Sequence, residues 1–146
     1  MSTSLKLFDC DLAYGRGTTA LLRDVETMDD ALAEMDHCGI DQALVWHRDA
    51  WERDFDAGNR RLTEIAGQPR LHRSLAFVPT CCQDMPSAEQ FVEKMRAGGV
   101  RAVRAFPNKH SFLLDAVSCG DLLELFVENS IPVLVPMADI GWNSVY

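Results

Sequence analysis

Short apolar runs recur along the chain at a start-to-start interval of about thirty residues, the length of one strand-helix-strand step. These runs predict five strands, at residues 5–8, 42–46, 71–78, 101–106 and 132–135. The segments between them carry apolar residues at helical spacing, most clearly Met28, Ala31 and Met35. Because strands that alternate with helices along a chain pair in parallel, the pattern predicts an α/β protein with a parallel sheet.

Helix-capping residues mark where the predicted helices begin and end. Thr27 suits the start of the first helix and Gly39 its end, and Ser87 with Gln90 three residues later forms a capping box. The helices predicted from these signals span about 28–38, 57–66, 88–97 and a stretch from Ser118 or Asp121 to shortly before Pro132.

Five parallel strands fit two architectures. One is a complete doubly wound sheet, whose usual length this chain of 146 residues matches, and the other is part of an eight-stranded (β/α) barrel of roughly 250 residues. A doubly wound sheet normally ends on a helix, but residues 137–146 show no helical pattern and contain Gly141. The pattern favours a partial barrel, with the doubly wound sheet as the alternative. No linker divides residues 1–146, which are expected to form one domain, incomplete as a barrel.

Composition narrows the classes of partner. The chain has 14 Lys and Arg against 22 Asp and Glu, a net charge of −8 that disfavours nucleic acids and anionic membranes as partners. Neither a signal peptide nor an apolar run long enough to span a membrane is recognisable, which predicts a cytoplasmic protein. The cysteines form no CxxC pair and are expected to be reduced thiols: Cys10, Cys38, Cys81, Cys82 and Cys119.

The run LFDCDLAYG at residues 7–15 resembles the opening of the amidohydrolase-related proteins, metal-dependent hydrolases with a TIM barrel, in which a strand leads through Asp into His-x-His and then Gly. The run EMDHCGIDQALV at 34–45 is similar to that family's first helix and second strand. Further segments are similar in the same order, namely NRRL at 59–62, GQPRL at 67–71, GGVRAVR at 98–104 and IPVLV at 131–135. The resemblance spans most of the chain and implies an ancestral hydrolase that acts on a small organic substrate.

The resemblance also implies where a divalent metal, often zinc, is held in the family. The two histidine positions after the first strand are occupied here by Asp11 and Ala13, and the histidine at the end of the fifth strand falls at Pro136. The family's ligands from strands six and eight lie beyond Tyr146. Alanine and proline offer no side-chain donor and one carboxylate does not make a metal site, so we expect no zinc or other cofactor.

Four polar residues at the ends of the predicted strands are candidates for catalysis: Asp11, His47, Arg104 and His110. The carboxyl ends of barrel strands form the usual catalytic mouth, so these side chains are expected to converge in one pocket. For Asp9, the other carboxylate after the first strand, we favour a structural role in which it accepts a main-chain N–H.

Two functions from different classes remain open. The first is a hydrolase that works without the usual metal, or is inactive in this form; the alternative is a noncatalytic binding or assembly module on the same scaffold. In both, a small-molecule ligand is the expected partner. Five strands cannot close a barrel of eight, so the open edges and apolar face also predict a homo-oligomer.

Overall fold

The computed structural model describes residues 5–18 and 24–139 and shows five strands and five helices in them. The strands are β1 (Phe8–Tyr14), β2 (Gln42–His47), β3 (Leu71–Phe77), β4 (Ala102–Ala105) and β5 (Val133–Leu134). The helices are α1 (Met28–Cys38), α2 (Asp49–Glu52), α3 (Phe55–Arg61), α4 (Ala88–Ala97) and α5 (Ala116–Glu128). Short 3-10 turns follow at Leu62–Ile65 and Met137–Asp139.

All five strands pair in parallel, and their order across the sheet is their order along the chain. A doubly wound sheet reverses its strand order at one point. This sheet has no reversal, so the doubly wound alternative is wrong. The sheet curls as a half barrel with helices between its strands, which confirms the predicted parallel α/β class. None of the helices in the described ranges combines the length and apolarity that crossing a membrane requires.

Two of the predicted helices form with the predicted caps. Thr27 Oγ1 accepts the Asp30 N–H at 3.1 Å at the start of α1, and Gly39 ends the helix with φ at 70°. Ser87 Oγ accepts the Gln90 N–H at 3.3 Å in the capping box of α4. These boundaries depend on contacts between residues close in sequence, which is why the sequence predicts them.

Two other helices begin earlier than predicted. The α5 helix begins at Ala116 because the Asp115 carboxylate accepts the N–H groups of Val117 and Ser118, at 3.0 and 2.8 Å. The predicted start at Ser118 or Asp121 is therefore wrong. Asp54 caps α3 in the same way, so α3 begins at Phe55, two residues before the predicted start. The helix ends at Arg61 and a 3-10 turn follows over Leu62–Ile65.

The first strand lies later in the chain than predicted, over Phe8–Tyr14 rather than 5–8. Asp9 and Asp11 therefore lie within the strand instead of after it. The pairing register with β2 shifts between Asp9 and Leu12, and at this bulge Asp9 Oδ1 accepts the Asp11 N–H at 2.9 Å. This confirms the structural role expected for Asp9. Bulges redirect side chains, and this one leaves the Asp11 carboxylate in contact with Arg104.

The main hydrophobic core lies between the helices and the convex side of the sheet. It is a continuous cluster of buried side chains that includes Val45, Phe77 and Val103 from the strands and Met35, Met95 and Phe126 from the helices. Side chains alternate between the two faces of a strand. Because Val103 faces this core, its neighbour Arg104 points to the concave face of the half barrel.

Candidate functional site

A buried arginine, Arg104, lies near the carboxyl end of β4 on the concave face. Its side chain is only 2% exposed, and its Nη2 lies 2.7 Å from Asp11 Oδ1 without the alignment of a hydrogen bond. The guanidinium carbon is 5.0 Å from the centre of the Trp46 ring, and Trp46 Nε1 donates to the same Asp11 oxygen at 2.9 Å. Burial lowers the pKa of Arg104, and the Asp11 charge opposes this change. Strands β1, β2 and β4 thus hold one charged group of side chains.

An aromatic side chain, Phe106, connects this arginine to the loop after β4. Phe106 is fully buried, and its ring lies 5.1 Å from that of Trp46 and 5.2 Å from that of Trp51. On its remaining side the ring of His110 meets it edge-on at 5.7 Å. Aromatic rings therefore pack together beside Arg104 near the carboxyl ends of the strands, and His110 lies at the border of this group.

The hydrogen-bond partner of His110 determines where its proton lies. His110 Nε2 is 2.9 Å from the Ala50 carbonyl oxygen, which can only accept, so Nε2 carries the hydrogen. The other ring nitrogen, Nδ1, is then a proton acceptor in the neutral ring, and it is buried without a hydrogen-bond partner. Burial lowers the pKa of His110, as does the charge of Lys109, while the Ala50 carbonyl and Asp139 act in the opposite direction. The neutral form of the His110 ring is therefore favoured.

Asp139, in the turn after β5, is a candidate that sequence reasoning missed. It is 6% exposed, and both carboxylate oxygens are buried without a hydrogen-bond partner. The Lys109 main-chain N–H faces this carboxylate without completing a hydrogen bond. Burial raises the pKa of Asp139, while the charges of His110 and Lys109 lower it. The sequence signal for this residue is an acidic side chain shortly after the fifth predicted strand.

Five side chains at this end of the half barrel form what we call the mouth cluster: Asp11, Trp46, Arg104, His110 and Asp139. Three residues of this cluster account for most of the unpartnered buried polar atoms in residues 5–18 and 24–139. These atoms are Arg104 Nε and Nη2, His110 Nδ1 and both Asp139 oxygens, and the sixth is Ser74 Oγ. Of these, Arg104 Nη2 lacks a hydrogen bond but is ion-paired with Asp11. A buried polar atom with no partner costs about 1–3 kcal/mol, so each one requires an explanation, and a bound ligand is one such explanation.

His47, the fourth predicted site residue, lies apart from the mouth cluster. It pairs with Tyr14 across β1 and β2 and points to the convex side, because its neighbour Trp46 takes the concave position. His47 Nδ1 accepts the Asp49 N–H at 3.1 Å, and its ring meets the Tyr14 ring edge-on at 4.9 Å. Together with Gly15 it lines a separate pocket of about 470 Å³. The expected convergence brings Asp11 and Arg104 into contact but does not include His47.

The positions where the amidohydrolase resemblance implies zinc do not fit a metal here. The Asp11 carboxylate is occupied by Arg104 and Trp46, and Ala13 and Pro136 have no donor atom. Across the described part of the chain, no three His, Cys, Asp or Glu side chains are grouped as metal ligands would be. No step of a mechanism is therefore assigned to a metal.

The cysteines are free thiols, as expected from their spacing. Cys81 and Cys82, which follow β3, are both exposed. Burial raises the pKa of the Cys82 thiol, and its neighbour Cys81 raises it further. A nucleophilic cysteine needs a thiolate and hence a lowered pKa, so this pair lacks the environment of a catalytic thiol.

Comparison with known proteins gave no match to a family model, to a curated protein or to a solved structure. The strand order establishes a parallel α/β half barrel from the coordinates alone. The relation to amidohydrolase-related proteins that the sequence motifs imply stays a prediction.

Proposed function

We propose that this chain is an amidohydrolase-related protein that hydrolyses a small organic substrate at the mouth cluster without the metal centre of that family. The observation that supports this proposal is the group of unpartnered buried polar atoms on Arg104, His110 and Asp139. A polar substrate would supply the missing hydrogen-bond partners, and the free energy so gained would favour binding. Carboxyl ends of parallel strands are also where barrel enzymes place their chemistry.

In the proposed reaction His110 is the general base and Asp139 is the general acid. His110 Nδ1 accepts a proton from water while the water oxygen bonds to the electrophilic carbon of the substrate. Asp139, which burial keeps protonated to a higher pH, donates its proton to the leaving nitrogen or oxygen as the bond from carbon to that atom breaks. Proton return from His110 to Asp139 restores the starting state. Arg104 stabilises the negative charge that develops on the substrate oxygen.

A panel of small esters, amides and lactones, assayed with a chelator present, tests the proposal. We expect turnover of one class that resists the chelator and falls by about 100-fold or more in His110→Gln and in Asp139→Asn, the range expected when a general acid or base is removed. Asp29→Asn, an exposed change in the first turn of α1, is the matched control and should retain activity. Turnover that survives both mouth substitutions would contradict the assignment.

The second candidate, a noncatalytic assembly module, is favoured by a different observation. Three apolar side chains at the start of β1 are exposed, namely Leu5, Leu7 and Phe8 at 80%, 42% and 55%. In the described part of the chain β1 pairs only with β2, so one edge of β1 is open there. An open strand edge beside exposed apolar side chains is a common surface for association between copies. Self-association without turnover on any substrate of the panel would favour this function.

A further inference from the structure

A second, smaller pocket lies on the convex side of the sheet, between α3, β3 and α4. Its volume is about 230 Å³, and neither the mouth cluster nor His47 lines it. Four of the lining side chains are buried and apolar: Phe55, Leu75, Phe91 and Val100. They belong to the continuous core of the protein, so the pocket has a preformed apolar floor.

The charged residues that line this pocket carry a surplus of positive charge. They are three cations, Arg60, Arg73 and Lys94, and two carboxylates, Asp56 and Asp84. Arg60 is already paired with Asp56. Arg73 donates to the Gly98 carbonyl oxygen, and neither Arg73 nor Lys94 forms an ion pair with a described carboxylate. A positive surplus is unusual on a chain whose net charge is −8, and one negative charge on a ligand would balance it.

The size of the pocket limits what it can hold. At about 30 Å³ for each water in the liquid, 230 Å³ is the volume of about eight water molecules. Pockets for drug-sized molecules are larger, about 300–1,000 Å³. The occupant must therefore be compact, apolar where it meets Phe91 and Leu75, and anionic where it meets the rim.

We propose that this pocket binds a small monocarboxylic acid with a compact apolar body, an aromatic or branched short-chain acid. Its carboxylate would lie between Arg73 and Lys94, and its apolar part would lie on the Phe91 and Leu75 side chains. Arginine suits this role because its planar guanidinium presents parallel N–H donors to a carboxylate. The proposal is independent of the hydrolase function, because no residue of the mouth cluster takes part.

Benzoate is the probe for a first test, by NMR titration of the full chain with the methyl signals of Leu75 and Val100 observed. We expect benzoate to shift these signals with a dissociation constant in the millimolar range or below. Two other probes separate the contribution of the charge from that of the apolar body. Benzamide keeps the ring but lacks the charge, and acetate keeps the charge but lacks the apolar body. Both should bind at least about fivefold more weakly, since an ion pair or a buried ring contributes about 1 kcal/mol. Equal binding of benzoate and benzamide would overturn the proposal, as would an absence of benzoate-induced shifts up to about 10 mM.

A pair of variants on α4 provides the second test. Lys94 lines the pocket, whereas Arg96, exposed in the same last turn of the helix, does not. We expect Lys94→Gln to weaken benzoate binding about threefold to fivefold and Arg96→Gln to leave it unchanged, although each removes one positive charge. Both positions are exposed, so both variants should fold. An equal loss in the two variants would mean that benzoate responds only to overall charge and would overturn the site.

Discussion

At the residue scale, the protein buries charged side chains of the mouth cluster, and this burial lowers its stability. Arg104 and Asp139 are almost fully buried, and each has side-chain atoms without a hydrogen-bond partner. A fully apolar interior would be more stable at these positions, since desolvation of a charge is costly unless the charge is paired and hydrogen-bonded. Residues that reduce stability in this way are typical of functional sites, and this allows separate tests of stability and activity.

Asp139→Asn should stabilise the protein near pH 7. Burial raises the pKa of Asp139 in the folded state. An acid with a raised folded-state pKa binds its proton more tightly when folded, so its contribution favours folding at low pH and is lost as the pH rises through the folded pKa. The neutral amide avoids that loss. We expect a gain in the free energy of unfolding on the order of 1 kcal/mol at about pH 7, from urea titration, that shrinks at about pH 4. A lower stability of the variant at about pH 7 would contradict this.

Asp11→Asn should destabilise the protein more than Asp9→Asn does. Asp11 supplies the counter-charge to the buried Arg104 guanidinium, whereas Asp9 accepts a main-chain N–H at the bulge. Removal of one partner of a fully buried pair costs about 3–5 kcal/mol, but the Asp11 side chain is 60% exposed, so we expect a smaller loss of about 1–2 kcal/mol.

The double variant Asp11→Asn with Arg104→Met isolates the cause of that loss. Methionine keeps an unbranched apolar stem and removes the charge, so Asp11→Asn should cost less in this background than in the wild type. Chemical denaturation of the four proteins gives the coupling energy. Additive losses in the double variant would show that the charge pair has no role in stability.

At the element scale, α2 and α3 meet so closely that a glycine is required. A Cβ atom built on Gly58 would lie 2.4 Å from both Ala50 Cβ and Ala50 N, much closer than atoms can pack. These two helices place Ala50, whose carbonyl oxygen binds His110 Nε2, beside the mouth cluster. The contact between α2 and α3 therefore supports the position of a proposed catalytic side chain.

Gly58→Ala should lower the free energy of unfolding by about 1–3 kcal/mol, because α2 and α3 must separate to admit the methyl group. The matched control is Gly120→Ala in α5, where a Cβ would meet no atom within 4 Å. That change should instead raise stability by about 0.5–1 kcal/mol, the difference in helix propensity. Thermal unfolding of both variants measures the contrast. Equal stability of the two would mean that the helices are not in close contact.

The same elements show what the sequence can and cannot predict. Apolar periodicity predicts five strands in order, four of them close to where they form and the first one several residues too early. Capping residues predict α1 and α4 to the residue, because this signal acts between neighbours in the chain. The short helix α2 has no side-chain cap to mark its start, and the bulge in β1 depends on pairing with a distant strand, so the sequence predicts neither. The candidate site likewise has features that the sequence predicts and features that it does not. The register between β1 and β2 directs the His47 side chain away from the mouth cluster. The turn after β5 places Asp139 within that cluster.

At the scale of the whole molecule, β1 has one edge that no other strand of the described residues covers. Leu5, Leu7 and Phe8 are exposed there, and the Phe8 ring stacks on His72 of β3 at 6.0 Å, across the concave face. A parallel sheet is normally covered on both sides, because its strands are apolar on both faces. The apolar side chains at the start of β1 remain exposed in the described part of the chain, and a second copy would be the simplest cover. A twofold axis would place the same edge and face of two chains against each other.

We therefore expect the protein to form a homodimer or larger oligomer at micromolar concentration, measured by light scattering. Phe8→Lys places a charge in the middle of the proposed contact and should shift the mass toward that of a monomer, with the fold retained because the position is already more than half exposed. Val127→Lys is the matched control: its side chain is 79% exposed in the last turn of α5, far along the chain from β1, where a cation suits the helix dipole. It should leave the mass unchanged. A wild-type protein that stays monomeric and unfolds cooperatively would show that the edge of β1 is stable in water without a partner, and the assembly function would then have no support.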